Sequence, residues 1–532
     1  MKSALQTKLY NYIYTHFEEP VMKHKKIAIF LIICLIYNIF ICGKGVMSIP
    51  DENIYYESVL AVDALFQKDV HGFSAHLNSS RGRPGEALFR VPAVVLQGLL
   101  YHFKGISPAN QDSLKIPVFF NILVNLALLF VLYLLAVLLF QNSNYALLTV
   151  ILYKLLVNSN IYLRHILPYE KSLLCLLFIL YVYFSKKEKR ILIYFGLGLL
   201  CGISFAIYPG YYFIPAFIGL IVFTNDLLHQ KNIRHFFING TSILSGFISM
   251  IAAFELFSNM GGESYLLVSS TLSDTISQGS FDESLLFPVK YLLEVENIPG
   301  IFILTTVIVM CLLLLKEIIK QKSMAVFVNN PIYWLFIFSL IGMILHGISG
   351  TFFHKMVFYG RLMHLYMPFL VIALVYVISQ MKSKKLQTIL FTVIGTVFLI
   401  HFILFTIHYQ QLGYPKNMLY SMKIDNRKFS NQQFYYESSD TLFTVMSPNP
   451  LNKNTNSPYL PDSNYLLVNC CYYYPQESAS HYKPFTAAGN LLCVADKQHY
   501  QTFPAYTFEG YNRMERDNIK KRKYRIQFYK TR

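Results

Sequence analysis

Two adjacent carboxylates, Asp51-Glu52, stand just past the first hydrophobic run, in Ser48-Ile-Pro-Asp-Glu-Asn-Ile-Tyr-Tyr56. Charge at a membrane boundary is unfavourable unless it is paired or put to use. A carboxylate there can take the proton of an attacking hydroxyl. Three further groups carry reactive side chains: Arg81-Gly-Arg83-Pro84-Gly-Glu86, Arg164-His165-Ile-Leu-Pro168-Tyr-Glu170-Lys171, and His354-Lys355 with Tyr359-Gly-Arg361-Leu-Met-His364. Guanidinium groups match phosphate oxygens in a two-pronged fork and stabilise the charge that builds on a departing phosphate. Acids and arginines of this kind suit group transfer from a phosphate-bearing carrier.

The elements that must position them are hydrophobic helices. The chain of 532 residues is 54% hydrophobic and only 14% charged, with a mean hydropathy of +0.40. Eleven apolar runs approach the length needed to cross a bilayer, at 27–46, 117–140, 145–160, 165–184, 191–207, 209–223, 237–257, 299–318, 333–350, 363–381 and 386–408. Basic residues collect on the cytoplasmic side of membrane proteins. Lys23, Lys25 and Lys26 precede the first run, which puts the N-terminus inside. Alternation then puts four more basic clusters inside: Lys186–Arg190, Lys231 with Arg234, Lys316–Lys322 and Lys382–Lys385. All four reactive groups fall at the opposite, outer face. The first run lacks a small-residue cleavage site and reads as an uncleaved anchor.

The chain divides into a membrane domain, 1–408, and an outer domain, 409–532. The first outer loop, 47–116, reads as an interfacial helix over 55–67, a polar turn from His71 to Glu86, and a second interfacial helix from Ala87 to Tyr101. The second, 258–298, is rich in Ser and Thr to about 280 and closes with an amphipathic stretch from Leu285 to Val295. Beyond 409, alternating runs at Thr441–Val445, Asn464–Asn469, Asn490–Ala495 and Lys523–Tyr529 read as strands of an α/β or mostly β module. Cys470 or Cys471 is a candidate disulfide partner for Cys493 in an oxidising compartment. The formal charge of +17 belongs largely to the inside clusters and to the tail from Arg513, with nine basic and two acidic residues. Such charge suits anionic headgroups or substrate rather than nucleic acid.

Each reactive group also has a plainer explanation. Asp51-Glu52 suits the N-terminus of the helix that follows. Glu170 with Lys171 and Arg164 makes an interfacial ion cluster, and Arg81 and Arg83 suit lipid headgroups. Lys154, inside the third run, reads as a side chain snorkelling to the outer surface. His346 and His401 read as structural hydrogen bonders. The turn Tyr208-Pro-Gly-Tyr-Tyr212 reads as a tight outer connector. No His, Cys and carboxylate spacing reads as a metal site, although a divalent ion bridging Asp51 and a phosphate is chemically compatible with the pattern.

Taken together, these motifs resemble the GT-C membrane glycosyltransferases, in the branch of protein O-mannosyltransferases and lipid A aminoarabinose transferases. Asp51-Glu52 resembles their Asp-Glu motif and Arg83-Pro84 their basic-Pro step. Leu114-Lys115-Ile-Pro117 resembles a Leu-Arg-Leu-Pro pattern. Arg164 with Glu170 resembles their second-loop Arg and acid, and Gly360-Arg361-Leu with Pro368 the approach to a late span. The match is imperfect. The second acid is Glu and falls one position late, the usual Pro-Pro is Pro84-Gly85, and the C-terminal region lacks β-trefoil-like repeats.

The apolar runs give a polytopic α-helical membrane protein with about eleven spans, and the expected location is a bacterial inner membrane. The resemblance implies a GT-C-like plan with an extracytoplasmic C-terminal α/β domain. It implies an inverting hexosyl- or pentosyltransferase that moves a sugar from a polyprenyl-phosphate donor to an envelope lipid, glycan or protein. Asp51, Glu52 and Glu170 would be its catalytic acids; Arg81, Arg83, Arg164 and Arg361 would hold the donor phosphate. A polysaccharide polymerase or ligase would also have many spans, but it would consume a diphosphate-linked donor. A transporter or flippase would carry charged or broken helices at the bilayer midplane. The transferase reading predicts that Asp51→Asn folds and inserts normally but loses transfer. Normal turnover by that variant would remove Asp51 from the chemistry.

Overall fold

The structure, a computed structural model, describes residues 19–42, 61–78, 83–105, 111–163, 167–185, 191–224, 226, 232–278, 285–321, 330–353, 360–411 and four strands beyond. Each of the eleven apolar runs holds a helix: α1 Glu19–Cys42, α5 Gln111–Phe140, α6 Ser143–Lys154, α7 Tyr169–Ser185, α8 Ile191–Ile207, α9 Phe213–Phe223, α10 Ile233–Met260, α13 Ile298–Gln321, α14 Pro331–Thr351, α15 Gly360–Ser379 and α16 Lys384–Gln411. Seven of these (α1, α5, α10, α13, α14, α15 and α16) are long and apolar enough to cross a membrane. Many of their large apolar side chains face outward, Ile32, Ile33 and Ile36 of α1 among them. In water such faces would be a liability; against lipid they are the solvent-compatible surface. α15 is the most enclosed of the seven and packs against α13, α14 and α6.

Local chemistry sets the helix ends. Asn142, Asn232 and Asn330 cap α6, α10 and α14, each side chain accepting from backbone N–H groups of the first turn. α8 and α10 meet backbone to backbone: a methyl at Gly198 would overlap the carbonyl oxygen of Ile243, and one at Gly246 that of Phe195.

The first long loop, 47–116, is more helical than its sequence suggests. α2 covers Ala61–Phe66, and the expected polar turn contains α3, Val70–Leu77. Asp69 starts α3 by accepting from the Gly72 N–H at 2.8 Å, a cap that propensity alone does not reveal. α4 runs Pro84–Lys104, with Pro84 at its first position and Gly105 closing it at φ 62°. The second loop contains α11, Tyr265–Gln278, over its Ser- and Thr-rich part. It ends in α12, Phe287–Tyr291, and a π-turn, Leu292–Glu296.

Two buried polar arrangements hold the site-bearing elements. The first joins α4 to α7. Glu86 is 1% exposed and accepts from Arg90 at 2.8 Å and from Lys171 at 2.9 Å. Burial pushes its carboxyl upward, but Arg90 and Lys171 outweigh that and hold it down at about 2.

The second follows α6, which stops after 12 residues, about 18 Å of helix. The segment 155–163 continues as turns, nearly all buried, where the third run suggested unbroken helix. Asn158, Ser159 and Asn160 explain the break, because such side chains compete for backbone partners. Ser159 Oγ and Asn160 Nδ2 both donate to the carbonyls of Lys154 and Leu156. Glu296 accepts from the N–H groups of Val157 at 3.0 Å and Asn158 at 2.8 Å. Burial raises the Glu296 carboxyl to about 7 despite those two hydrogen bonds. Lys154 does not snorkel. It is 3% exposed and donates to Asn38 at 2.9 Å and Asn125 at 3.3 Å. Hydrogen-bonding partners inside the bundle win over the path to water.

The strands are β1 Phe434–Glu437, β2 Tyr465–Cys470, β3 Asn490–Gln498 and β4 Lys523–Lys530, forming one sheet in the order β1-β2-β4-β3. Three match expected strands; β1 was not anticipated, and 441–445 lies outside the described residues. β4 separates β2 from β3, with Cys470 opposite Arg525 and Cys493 opposite Phe528. Two strand spacings and the register offset place those Cα atoms more than about 10 Å apart. A Cys470–Cys493 disulfide is therefore excluded on reach; Cys471 lies outside the described residues.

Two outcomes follow from the buried carboxylates. In the folded chain Glu296 holds its proton to about pH 7, against an ordinary 4.5. Folding is then favoured most below pH 4.5 and loses roughly 3 kcal/mol as pH rises through 7. Melting temperatures of the detergent-solubilised protein across pH 4.5–7 should fall more steeply for wild type than for Glu296→Gln; equal slopes would refute this. For the other cluster, Glu86→Lys and Lys171→Glu should each destabilise by about 3–5 kcal/mol, and the double exchange should recover part of the loss. A double variant no more stable than either single one would show that this pair does not lock α4 to α7.

Candidate functional site

Three of the seven candidate residues, Arg83, Glu170 and Arg361, fall on described positions, and they converge. Asp51, Glu52, Arg81 and Arg164 lie outside the described residues, as do His354, Lys355 and Tyr359.

The centre of the arrangement is a pair of tyrosines. Tyr169 opens α7, and Tyr208 precedes the 3-10 turn Pro209–Tyr211 that joins α8 to α9. Their rings meet edge to face at 5.0 Å. Arg83 sits before Pro84 at the start of α4, its guanidinium carbon 5.4 Å from the Tyr208 ring centre. Arg361, in the first turn of α15, lies 5.6 Å from the Tyr169 ring centre and donates to the Tyr169 hydroxyl. Each arginine thus rests on one member of the same aromatic pair. Stacking on a ring fixes the plane of a guanidinium without neutralising its charge, and that combination suits an anion site.

Glu170 follows Tyr169 and is fully buried in the first turn of α7, where a helix favours negative charge. Lys171 pairs with Glu86 rather than Glu170, and Arg164, the other member of the expected cluster, lies outside the described residues.

The supporting layer is equally specific. Asn158, in the turn after α6, donates to the Tyr291 hydroxyl at 2.7 Å and to the Gly360 carbonyl at 3.1 Å, next to Arg361. Its side-chain oxygen meets His364 Nδ1 at 2.9 Å, one turn beyond Arg361. His364 packs edge-on to Tyr162, and Tyr162 edge-on to Tyr169. The Tyr211 hydroxyl donates to the Arg361 carbonyl at 2.7 Å. His346 is a structural hydrogen bonder, with one ring nitrogen on the Gly210 carbonyl and the other on the Tyr366 hydroxyl. The Tyr208–Tyr212 turn is thus part of the site as well as a connector.

Sequence reasoning missed Tyr169, Tyr208 and the Glu86–Lys171 pair. Tyr208, Tyr211 and Tyr212 crowd one turn and Tyr169 adjoins Glu170 in the other, and that density was the available signal. Among the described residues, no group of three or more His, Cys, Asp or Glu side chains is placed to hold a metal ion.

No family model matches the sequence, and no curated protein matches it. The fold does have counterparts. The chain is similar to ArnT from Cupriavidus metallidurans, a structure bound to undecaprenyl phosphate, with a TM-score of 0.55 at 9% identity, over 95% of this chain and 98% of that one. An oligosaccharyltransferase from Archaeoglobus fulgidus, in complex with zinc and sulfate, is matched with a TM-score of 0.47 at 9% identity, over 82% of this chain and 67% of that one. At such identity the likeness to ArnT is one of fold alone, and it runs almost from end to end.

Proposed function

We propose that the protein is a glycosyltransferase that moves a sugar from a polyprenyl-phosphate carrier to an acceptor outside the cytoplasmic membrane. The observation that carries this reading is the pair of arginines braced on Tyr208 and Tyr169, in a fold shared with a protein whose structure holds undecaprenyl phosphate. Arg83 and Arg361 take the donor phosphate from two sides. The acceptor hydroxyl attacks the anomeric carbon, the bond from that carbon to the phosphate oxygen breaks, and the arginines stabilise the departing charge. The hydroxyl proton passes to Asp51, with Glu52 beside it; Glu170 keeps the local field negative where the sugar carbon becomes positive. A single displacement of this kind inverts the anomeric centre, whether the sugar is a hexose or a pentose.

The same reading gives the chain eleven spans, a cytoplasmic N-terminus, and a division at 408/409 into a membrane domain and an extracytoplasmic α/β domain. Arg81 and Arg164 join the phosphate site from the loops that flank it. The acceptor is an envelope lipid, glycan or protein of a bacterial inner membrane.

The test combines cells and purified protein. Mass spectrometry of envelope lipids and glycans should show a sugar lost when the gene is deleted and restored by wild type. Arg83→Ala and Arg361→Ala should each lower kcat/KM for the polyprenyl-phosphate donor by about 10²–10³, and Arg361→Lys should recover little of it because the planar fork is gone. Undiminished transfer by both alanine variants would overturn the phosphate assignment. An unchanged envelope in the deletion strain would overturn the transferase reading itself.

A further inference from the structure

A second feature lies along α9 and the first half of α10, away from the tyrosine pair. The two helices enclose a groove of about 640 Å³, within the size range of small-molecule sites. Its walls are Pro215, Gly219 and Phe223 of α9 and Phe237, Gly240 and Leu244 of α10. The surface is almost wholly apolar. Thr241 also lines it, but its hydroxyl is turned back onto the Phe237 carbonyl at 2.6 Å. A side-chain carbon added at Gly219 or Gly240 would meet nothing within 4 Å, so the space beside each glycine is open. Phe223 and Phe236 meet edge to face at 5.4 Å towards one end.

The same end carries charge. Arg234 is exposed in the first turn of α10. It stands three residues before Phe237 and seven before Thr241, and therefore on the groove-lining face of the helix. Among the described residues it makes no ion pair. An apolar channel with an exposed guanidinium at its mouth has the two parts of a phospholipid site: a wall for an acyl chain and a counter-charge for a headgroup.

We propose that this groove binds an anionic phospholipid of the cytoplasmic leaflet, its acyl chain between α9 and α10 and its headgroup phosphate on Arg234. The choice of leaflet rests on the membrane orientation given under the proposed function; the lipid site itself does not require the chain to be a transferase. The occupant differs from the sugar carrier, whose phosphate is assigned to Arg83 and Arg361 beyond the opposite end of α9. A bilayer lipid held here would fill the seam beside the short helix α9 and brace the turn that carries Tyr208.

The test uses the full-length protein in mild detergent, with phosphatidylglycerol and phosphatidylcholine of matched chains as probes and native mass spectrometry as readout. Wild type should retain phosphatidylglycerol about fivefold better than phosphatidylcholine, the effect of one surface cation on an anionic lipid. Arg234→Gln should lose that preference while still holding both lipids weakly. Gly240→Leu should hold neither, and Gly219→Leu gives the same test from the facing helix, in case one of the two variants fails to fold. Equal retention by wild type and a folded groove-filling variant would overturn the proposal. So would unchanged phosphatidylglycerol retention accompanied by a raised KM for the polyprenyl-phosphate donor, which would hand the groove to the carrier's tail. Retention needs no turnover, so absence of transfer activity would refute the proposed function and leave this result standing.

Discussion

A helix that stops inside an apolar bundle must find a partner for every backbone group it releases, because no water is there to supply one. α6 stops at Lys154, and the nine residues that follow are satisfied partly by backbone turns, such as Asn160 N–H and Ile161 N–H on the Val157 carbonyl, and partly by side chains. Glu296 answers for two N–H groups and Ser159 and Asn160 for the freed carbonyls. The rest of the site hangs on that bend. Asn158 can reach Gly360, Tyr291 and His364 only because its backbone is turned out of the helix. Through Gly360 it fixes the start of α15, and with it the position of Arg361. A burial that looks wasteful for one carboxylate thereby sets the geometry of an arginine from a distant part of the chain.

The anion site is assembled from positions far apart in sequence, with no rigid sheet beneath them. Arg83 comes from the start of α4, Tyr208 from the turn between α8 and α9, Tyr169 and Glu170 from one helix start and Arg361 from another. Two kinds of contact compensate for the missing scaffold. Ion pairs made in the interior, Glu86 with Lys171 and Arg90, tie α4 to α7. Edge-to-face rings then relay position from Tyr162 through Tyr169 to Tyr208. Aromatic rings suit this task because they have few rotatable bonds and offer specific orientations.

Much of the fold was legible because hydrophobic length is an unambiguous signal. All eleven apolar runs hold helices, and Arg83, Glu170 and Arg361 were picked from residue type and their place at the ends of those runs. The errors share a cause. Val70–Leu77 was read as a polar turn because its helix depends on a cap by Asp69 and on packing against α10. Lys154 was sent to the surface because a lone lysine gives no hint of Asn38 and Asn125, which lie on other helices. Lys171 was matched with its neighbour Glu170, whereas its partner is 85 positions away. Local pattern reports which side chains are unusual; only tertiary structure reports whom they meet.

The glycine contacts between α8 and α10 bear on how the molecule can move. Gly198 and Gly246 let the two backbones touch, and nothing larger than hydrogen fits at either point. Surfaces that mesh at the backbone have no rotamers to rearrange, so sliding one helix past the other would require separating them first. α8 and α10 therefore travel as a single strut, with the tyrosine turn mounted on its end. A widening of the bundle would have to come from seams where side chain meets side chain, with the α8–α10 strut as the fixed jaw.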